Sequence, residues 1–412
     1  MKIQSIRGTH DIFGSDLKKF NKIRKQLVKI AKSFNFNEIH TPIFESTTLF
    51  SKPLGQQSDV VLKEMYTFLD RNKDSITLRP EYTTPMIRAA ISNNLLNSIP
   101  CKLFGLGPMF RRERPQKGRY RQFNQINFEI FGTSDYFADV ELIIIAHNFL
   151  KSIAPNLKFK LFINSLGDKE NLKNYKNDLK KYFLKNIKDL SEESQKKIHS
   201  NCLRILDSKD SKDNKISLLA PKIISYLSSE SLNHYENIKK TLNELKIEFI
   251  ENPFLVRGLD YYCSTVFEFK TDSLGSQDTL IGGGRYDGLI KLIGGQDLPG
   301  IGWAGGVERM ILLMDEILKT EKLIHFAILK DNFKLHALKA YNQLSSKNLP
   351  VFWNYKYNLK KSLSQASNEN ASHIVIIGGN EFVKNKYTIK NLINGSQKIA
   401  DLKDLEKIIN ND

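Results

Sequence analysis

The sequence predicts an α+β fold in two domains. The first spans residues 1–320 with a helical insertion over about 166–250, and the second is a small α/β domain over 321–412. Three observations carry this. FRRERPQKGRYRQFNQINFEIFG (110–132) reads as two strands joined by a basic loop, a connection that suits an antiparallel pair. Between 166 and 250, Lys, Asn, Asp and Ser dominate and helical patterns recur. From about residue 321, strand and helix patterns alternate. A length of 412 residues is too great for one ordinary domain and ample for a large core.

In chain order, Leu17, Phe20, Ile23, Leu27, Ile30, Ala31 and Phe34 recur at helical spacing and predict an amphipathic helix over 16–34. Glu38, Ile39 and His40 extend toward Pro42, which marks a strand edge or turn. A short strand follows at 76–79, then a helix beginning near Pro85, a residue suited to a first turn. Strands are expected at 102–112 and 121–132, a buried helix at 139–150, and strands at 158–164 and around Glu268. PGIGWAGGVERMILLM (299–314) reads as a strand and Gly turn opening a helix, with Arg309 in its first turn or so. HFAIL (325–329), PVFWN (350–354) and HIVIIGG (373–379) are the strands of the second domain, with helices between them.

Bulk properties exclude more than they assign. Apolar residues make up 41% and charged residues 26%, a globular profile. The net charge of +17 suits a polyanionic partner such as RNA. A Lys- and Asn-rich composition also follows from a genome's base bias, so charge alone selects little. Cys101, Cys202 and Cys263 lie far apart with no CxxC pair, and the eight histidines lack metal-ligand spacing. Neither a disulfide framework nor a zinc site is signalled, and a reducing cytoplasm fits. The start MKIQSIRGTHDIF has no signal-like apolar core, and the most apolar run, 142–146, is far too short to cross a bilayer.

The strand from Arg121 alternates strictly. Arg121, Phe123, Gln125, Asn127 and Glu129 fall on one face, while Gln122, Asn124, Ile126, Phe128 and Ile130 fall on the other, which turns apolar. A row of guanidinium, aromatic, amide and carboxylate groups turned from the core is either solvated or builds a site. Arg111 and Arg112 end the preceding strand beside it. Such groups suit a phosphate, a stacked base and an ammonium.

This stretch resembles motif 2 of class II aminoacyl-tRNA synthetases, in the form used by bacterial histidyl-tRNA synthetases. LRPEYTTP (78–85) is similar to that family's substrate-binding segment, with Tyr82 in its variable place. RGLDYY (257–262) and LIGGGRYDGLI (280–290) resemble two further family signatures, and 299–314 resembles motif 3. On its own GGGRYDG is a weak Gly-turn signal. The helix and strand of 16–45 resemble motif 1, which implies a homodimer. NCLRILDSKD (201–210) and APKIISYL (220–227) are similar to family phrases in the insertion. Residues 322–412 hold 14 Lys and no Arg against seven acids, a net +7, and resemble the anticodon-binding domain of the histidyl, threonyl, prolyl and glycyl enzymes.

The resemblance implies a class II catalytic domain that joins L-histidine to ATP and passes it to tRNA-His. Arg111 and Arg257 would grip the α-phosphate as the catalytic pair. Glu113, Arg119, Arg121, Phe123 and Arg309 would bind ATP with Mg2+ accompanying it, and no tightly bound cofactor or zinc is implied. Glu81, Tyr82, Thr83, Gln125, Glu129, Tyr261 and Tyr262, with Arg111 and Arg257, would hold histidine. Of these, Glu129 and the Tyr262 hydroxyl would meet the two ring nitrogens. Arg114, Gln116 and Lys117 would meet the tRNA acceptor end. A catalytically silent regulatory paralogue, or a threonyl or prolyl synthetase, is the competing reading. The Arg257–Tyr262 signature opposes the latter.

Overall fold

Ile23, Leu27 and Ala31 lie on one stripe of α1 (Gly14–Ser33), and that buried stripe is the first wall of the main core. The computed structural model describes residues 3–55, 60–275, 278–316, 322–378 and 386–411. The expected domain boundary at 320–321 and Gly379 of the last expected strand lie outside them. The described residues form two compact units, divided between residues 316 and 317.

In the first unit, α1 is followed by β1 (Asn37–Glu38), β2 (Phe44–Ser46), α2 (Thr48–Ser51), β3 (Tyr66–Leu69), β4 (Ser75–Leu78) and α3 (Thr83–Ser92). Next come β5 (Cys101–Phe110), β6 (Gln122–Phe131), α4 (Tyr136–Ile153) and β7 (Lys160–Ser165). Helices α5 (Lys169–Lys185), α6 (Glu192–Asn201), α7 (Leu203–Leu206), α8 (Ser211–Leu218) and α9 (Ser229–Glu244) fill the insertion. The unit closes with β8 (Ile250–Glu251), β9 (Cys263–Lys270), β10 (Thr279–Arg285), α10 (Leu289–Leu292), β11 (Gly300–Gly306) and α11 (Val307–Leu313).

Eight of these strands make one sheet in the order β1-β5-β6-β11-β10-β9-β7-β8. The six central strands pair antiparallel, and the two-residue strands β1 and β8 pair parallel at the edges. The pairing of β5 with β6 runs from Cys101 opposite Phe131 to Phe110 opposite Gln122. The alternation in β6 then sorts its side chains as expected. Ile126, Phe128 and Ile130 enter the core with residues of α1, α4, α9 and α11, and Phe128 stacks on Trp303 at 4.8 Å. The opposite face carries Gln125, Asn127 and Glu129, all buried. Helices α3 and α5–α7 pack on that side, around Tyr82, Leu172, Ile198 and Tyr262. Of the insertion helices, α9 instead buries Tyr235, Ile238 and Leu242 in the main core.

Several elements differ from the sequence expectation for local reasons. Helix α3 starts at Thr83, ahead of Pro85, because the Glu81 carboxylate accepts hydrogen bonds from the backbone N–H groups of Thr83 and Thr84, each at 2.8 Å. A second, three-stranded sheet in the order β2-β4-β3 includes β3, whose Phe68 and Leu69 are exposed and so give no alternation. GGGRYDG, on its own a weak turn signal, begins inside strand β10, and the strand expected in 299–314 is β11, which runs on through Gly305 and Gly306.

The second unit contains β12 (Ile324–Ile328), α12 (Lys334–Ser345), β13 (Val351–Trp353), α13 (Leu359–Asn368), β14 (His373–Ile377), β15 (Tyr387–Asn391), β16 (Gln397–Ala400) and α14 (Leu405–Asn411). Its sheet order is β13-β12-β14-β15-β16, with the first three strands parallel and the last two antiparallel.

One buried ion pair ties the sheet of the first unit to its helices. Arg285, at the end of β10, donates from Nε and Nη2 to Asp139 of α4, at 2.5–3.1 Å, and to the carbonyls of Thr133 and Asp135 at 3.0 and 2.8 Å. Burial opposes ionisation of Asp139, but Arg285 holds its carboxyl below the usual carboxylate range. Asp139→Asn would leave the buried guanidinium with only Asp287, 3.9 Å away, as a carboxylate partner. Urea unfolding should show a loss of about 3–5 kcal/mol.

Candidate active site

The face of the sheet away from α1 and α4 carries the charged residues. A cavity of about 180 Å3 opens there, lined by the end of β5, the following loop, β6, β10, β11 and the start of α11. Four guanidinium groups reach it, from Arg111, Arg119, Arg257 and Arg309. Arg111 is braced by a hydrogen bond to the Pro80 carbonyl at 2.8 Å and lies 5.4 Å from the centre of the Phe123 ring. Arg309 donates to the carbonyls of Gly118 at 3.0 Å and Thr279 at 2.7 Å. Arg119 pairs with Glu113, and Arg257 pairs with Glu268. Burial first, then the neighbouring Arg119 and Arg111, push Arg309 below its ordinary value. Burial does the same to Arg119, assisted by Arg111 and opposed by Glu64. An anion entering here would relieve that mutual repulsion.

Beside this cavity lies a buried polar knot. One oxygen of Glu129 accepts from the Thr83 hydroxyl at 2.7 Å and the Asn127 amide at 2.9 Å, and the other accepts from the Tyr286 hydroxyl. Burial raises the Glu129 carboxyl to about 8, against the pull of those three donors. Glu81 is also raised, by burial, although Thr84 and Thr83 donate to it. The rings of Tyr261 and Tyr262 lie 4.7 Å apart, and both stand within 6.4 Å of the Tyr286 ring. Two glycines make room for these groups. A Cβ on Gly302 would run into the Glu129 carboxylate, and a Cβ on Gly282 would run into the Arg257 guanidinium.

Most residues singled out in the sequence meet at this one place, with three differences. Tyr82 is fully buried, points away from the knot, and donates its hydroxyl to the Ile39 carbonyl at 3.1 Å, so it is a packing post rather than a pocket wall. Arg121 does not line the cavity. Its side chain packs against Gly8 and donates to the Glu113 carbonyl at 3.4 Å. Tyr286, which the sequence did not single out, donates its hydroxyl to Glu129, while the Tyr262 ring faces the Arg257 guanidinium at 5.5 Å. Gln125 lines the cavity, and its Oε1 has no hydrogen-bond partner among the described residues. Arg114, Gln116 and Lys117 sit exposed on the loop, closed by Gly118 in a positive-φ turn.

Tyr286, Asn127, Glu268 and Glu308 are site residues that the sequence reading did not assign. Glu308 lines the cavity and accepts from the Asn124 backbone and side-chain amides at 2.8–2.9 Å, clamping β6 to α11. Tyr286 lies within the Gly-rich signature and Asn127 within the polar row of β6, so both were in view without a partner to give them a role. Among the described residues, no group of three or more His, Cys, Asp or Glu could hold a metal ion.

The family model described as histidyl-tRNA synthetase matches residues 8–310. The chain belongs to the histidyl-tRNA synthetase family. The histidine–tRNA ligase of Wolbachia pipientis subsp. Culex pipiens (strain wPip) is 44% identical over 99% of this chain and 100% of that protein. The apo structure of S. aureus histidyl-tRNA synthetase is 34% identical, with a TM-score of 0.81 over 99% of this chain and 100% of that one. An ATP phosphoribosyltransferase regulatory subunit/histidyl-tRNA synthetase from Bacillus halodurans is 18% identical, with a TM-score of 0.66 over 89% and 97% of the two chains, a likeness of fold alone. Synthetases of this family use ATP, typically with Mg2+.

The raised Glu129 carboxyl has a measurable consequence. It binds a proton in the folded chain up to about pH 8, but only to about 4.5 when unfolded. Its contribution to stability is therefore complete below pH 4.5 and is lost as pH rises toward 8. Glu129→Gln should flatten the stability–pH curve over that window in urea titrations.

Proposed function

We propose that this chain is a histidine–tRNA ligase whose adenylation site is the four-arginine cavity and the Glu129 knot beside it. The observation that carries the residue assignment is their adjacency: Gln125, Asn127 and Glu129 lie on one face of β6, so one strand serves both halves. The carboxylate of L-histidine attacks the α-phosphorus of ATP, pyrophosphate leaves, and the histidyl group then passes from the adenylate to a 3′-terminal ribose hydroxyl of tRNA-His, releasing AMP. Arg111 and Arg257 hold the α-phosphate and stabilise the charge that develops on it. Phe123 stacks on adenine while Arg309 covers its other side. Arg119 reaches the outer phosphates and Glu113 the adenine edge. Mg2+ would accompany ATP as part of the substrate and offset charge on its phosphates.

Glu81, Thr83 and Gln125 take the substrate's ammonium, with the unpartnered Gln125 oxygen as its readiest acceptor. Glu129 can accept from a ring N–H when ionised or donate to a bare ring nitrogen when protonated, and Tyr262 lies on the far side of the ring. Arg114, Gln116 and Lys117 meet the acceptor end of tRNA. Exposed Ile43, Phe44, Phe68 and Leu69, on and beside the small sheet, support a homodimer. No described helix is long and apolar enough to cross a membrane, and the reading sets the activity in the cytoplasm.

ATP–pyrophosphate exchange screened across the twenty amino acids tests this, with exchange expected for histidine alone. Exchange with another amino acid would overturn the substrate assignment. No exchange by folded protein would favour the regulatory paralogue.

The second unit supports an anticodon-reading role. At the carboxyl end of β13, exposed Tyr355 and Tyr357 lean on Trp353 with ring centres 4.8 and 5.7 Å away, beside Lys356, Lys360 and Lys361. Aromatic faces among lysines suit unstacked bases. Tyr355→Ala should raise the tRNA KM in charging about tenfold, the loss of one stacked base.

A further inference from the structure

We propose that Glu268 and Thr279 form a latch that sets the position of Arg257 for adenylation, and that Glu268 is a positioning residue of the reaction. The inference rests on the adenylation reading above and adds a residue pair to it. Glu268 is buried on β9. One of its oxygens pairs with Nη1 of Arg257. The other takes Nζ of Lys270 at 3.0 Å and the Thr279 hydroxyl at 3.2 Å. The Thr279 carbonyl in turn accepts from Nη1 of Arg309 at 2.7 Å. Arg257, Glu268, Thr279 and Arg309 thus form one connected chain that joins two arginines of the cavity.

The sheet is shaped to permit this. The pairing of β9 with β10 slips between Thr279 and Ile281, an irregularity that places Gly282 directly opposite Glu268. Arg257 lies in the space that the missing side chain leaves, since a Cβ there would meet its guanidinium. A guanidinium is a rigid planar fork of five N–H donors. Fixing one corner by charge fixes the direction of the rest. Glu268 holds the Nη1 corner, and Nε of Arg257 is buried with no hydrogen-bond partner among the described residues. Lys270 balances the charge. Lys270 also faces Asp278 at 3.8 Å, so the attraction for a triphosphate comes from the four arginines of the cavity together.

This arrangement predicts a particular kinetic signature. A misaligned Arg257 would lose contacts made in the transition state more than contacts made with bound substrates. Histidine-dependent exchange should therefore be measured for the parent protein, Glu268→Gln, Thr279→Val, Arg257→Ala and the Glu268→Gln/Arg257→Ala double variant, with folding checked by urea unfolding. Glu268→Gln should lower kcat about 10–100-fold, the usual scale for losing an orienting partner. The KM values for ATP and histidine should stay within roughly threefold. Thr279→Val should show a smaller loss of the same kind, and it decides the matter if Glu268→Gln does not fold. In the Arg257→Ala background, Glu268→Gln should cost nothing further. An unchanged kcat in folded Glu268→Gln, or an equal fold-loss in both backgrounds, would overturn the latch while leaving the adenylation reading intact. If the parent protein shows no histidine-dependent exchange, both fall together.

Discussion

A row of polar groups buried on one face of a central strand is the constraint on which this molecule depends. Strand β6 lies between β5 and β11, so both of its faces are covered. Its period of two commits Ile126, Phe128 and Ile130 to the helices behind the sheet and Gln125, Asn127 and Glu129 to the front. A one-residue slip would drive Glu129 into the apolar core and Phe128 into the polar knot. The register against β5 and β11 is therefore held by the cost of unpaired polar groups as much as by apolar burial.

That constraint passes to the neighbouring strands. A fully buried Glu129 needs donors, and Thr83, Asn127 and Tyr286 supply them from three different elements. It also needs space, and Gly302, its register partner on β11, supplies that. The same logic holds two strands away, where Gly282 gives way to Arg257. The glycines of β10 and β11 are thus less a device for bending the chain than a way of seating large charged side chains against a backbone.

The front face was legible in the sequence to the extent that periodicity and residue type determine it. The alternation of 122–130, the amphipathic α1 and the helix that carries Arg309 all follow from spacing, and the structure draws Arg111, Arg119, Arg257 and Arg309 to one cavity. What spacing does not contain is the direction of a side chain at an irregular backbone position. Tyr82 sits where a loop becomes a helix, and Arg121 sits at the mouth of a hairpin, so neither has a period that fixes its facing. Tyr286 was hidden for the opposite reason: GGGRYDG has the composition of a turn. Only pairing with β9 and β11, which are distant in sequence, makes it a strand that ends beside Glu129.

The same distinction explains why the two halves of the site are built differently. The arginines sit on loops, at a strand end and at a helix start, where a long side chain can reach an anion from several directions and small backbone shifts are absorbed by its length. The Glu129 knot sits in the middle of the sheet, where nothing can adjust, and every donor around it already has a partner. A phosphate can be gripped by charge that converges approximately. Telling one small side chain from another requires polar groups held at fixed positions, and positions are fixed only where the surroundings cannot relax. Rigidity at Glu129 and reach at the arginines are therefore separate requirements, met by opposite choices of position on the same sheet.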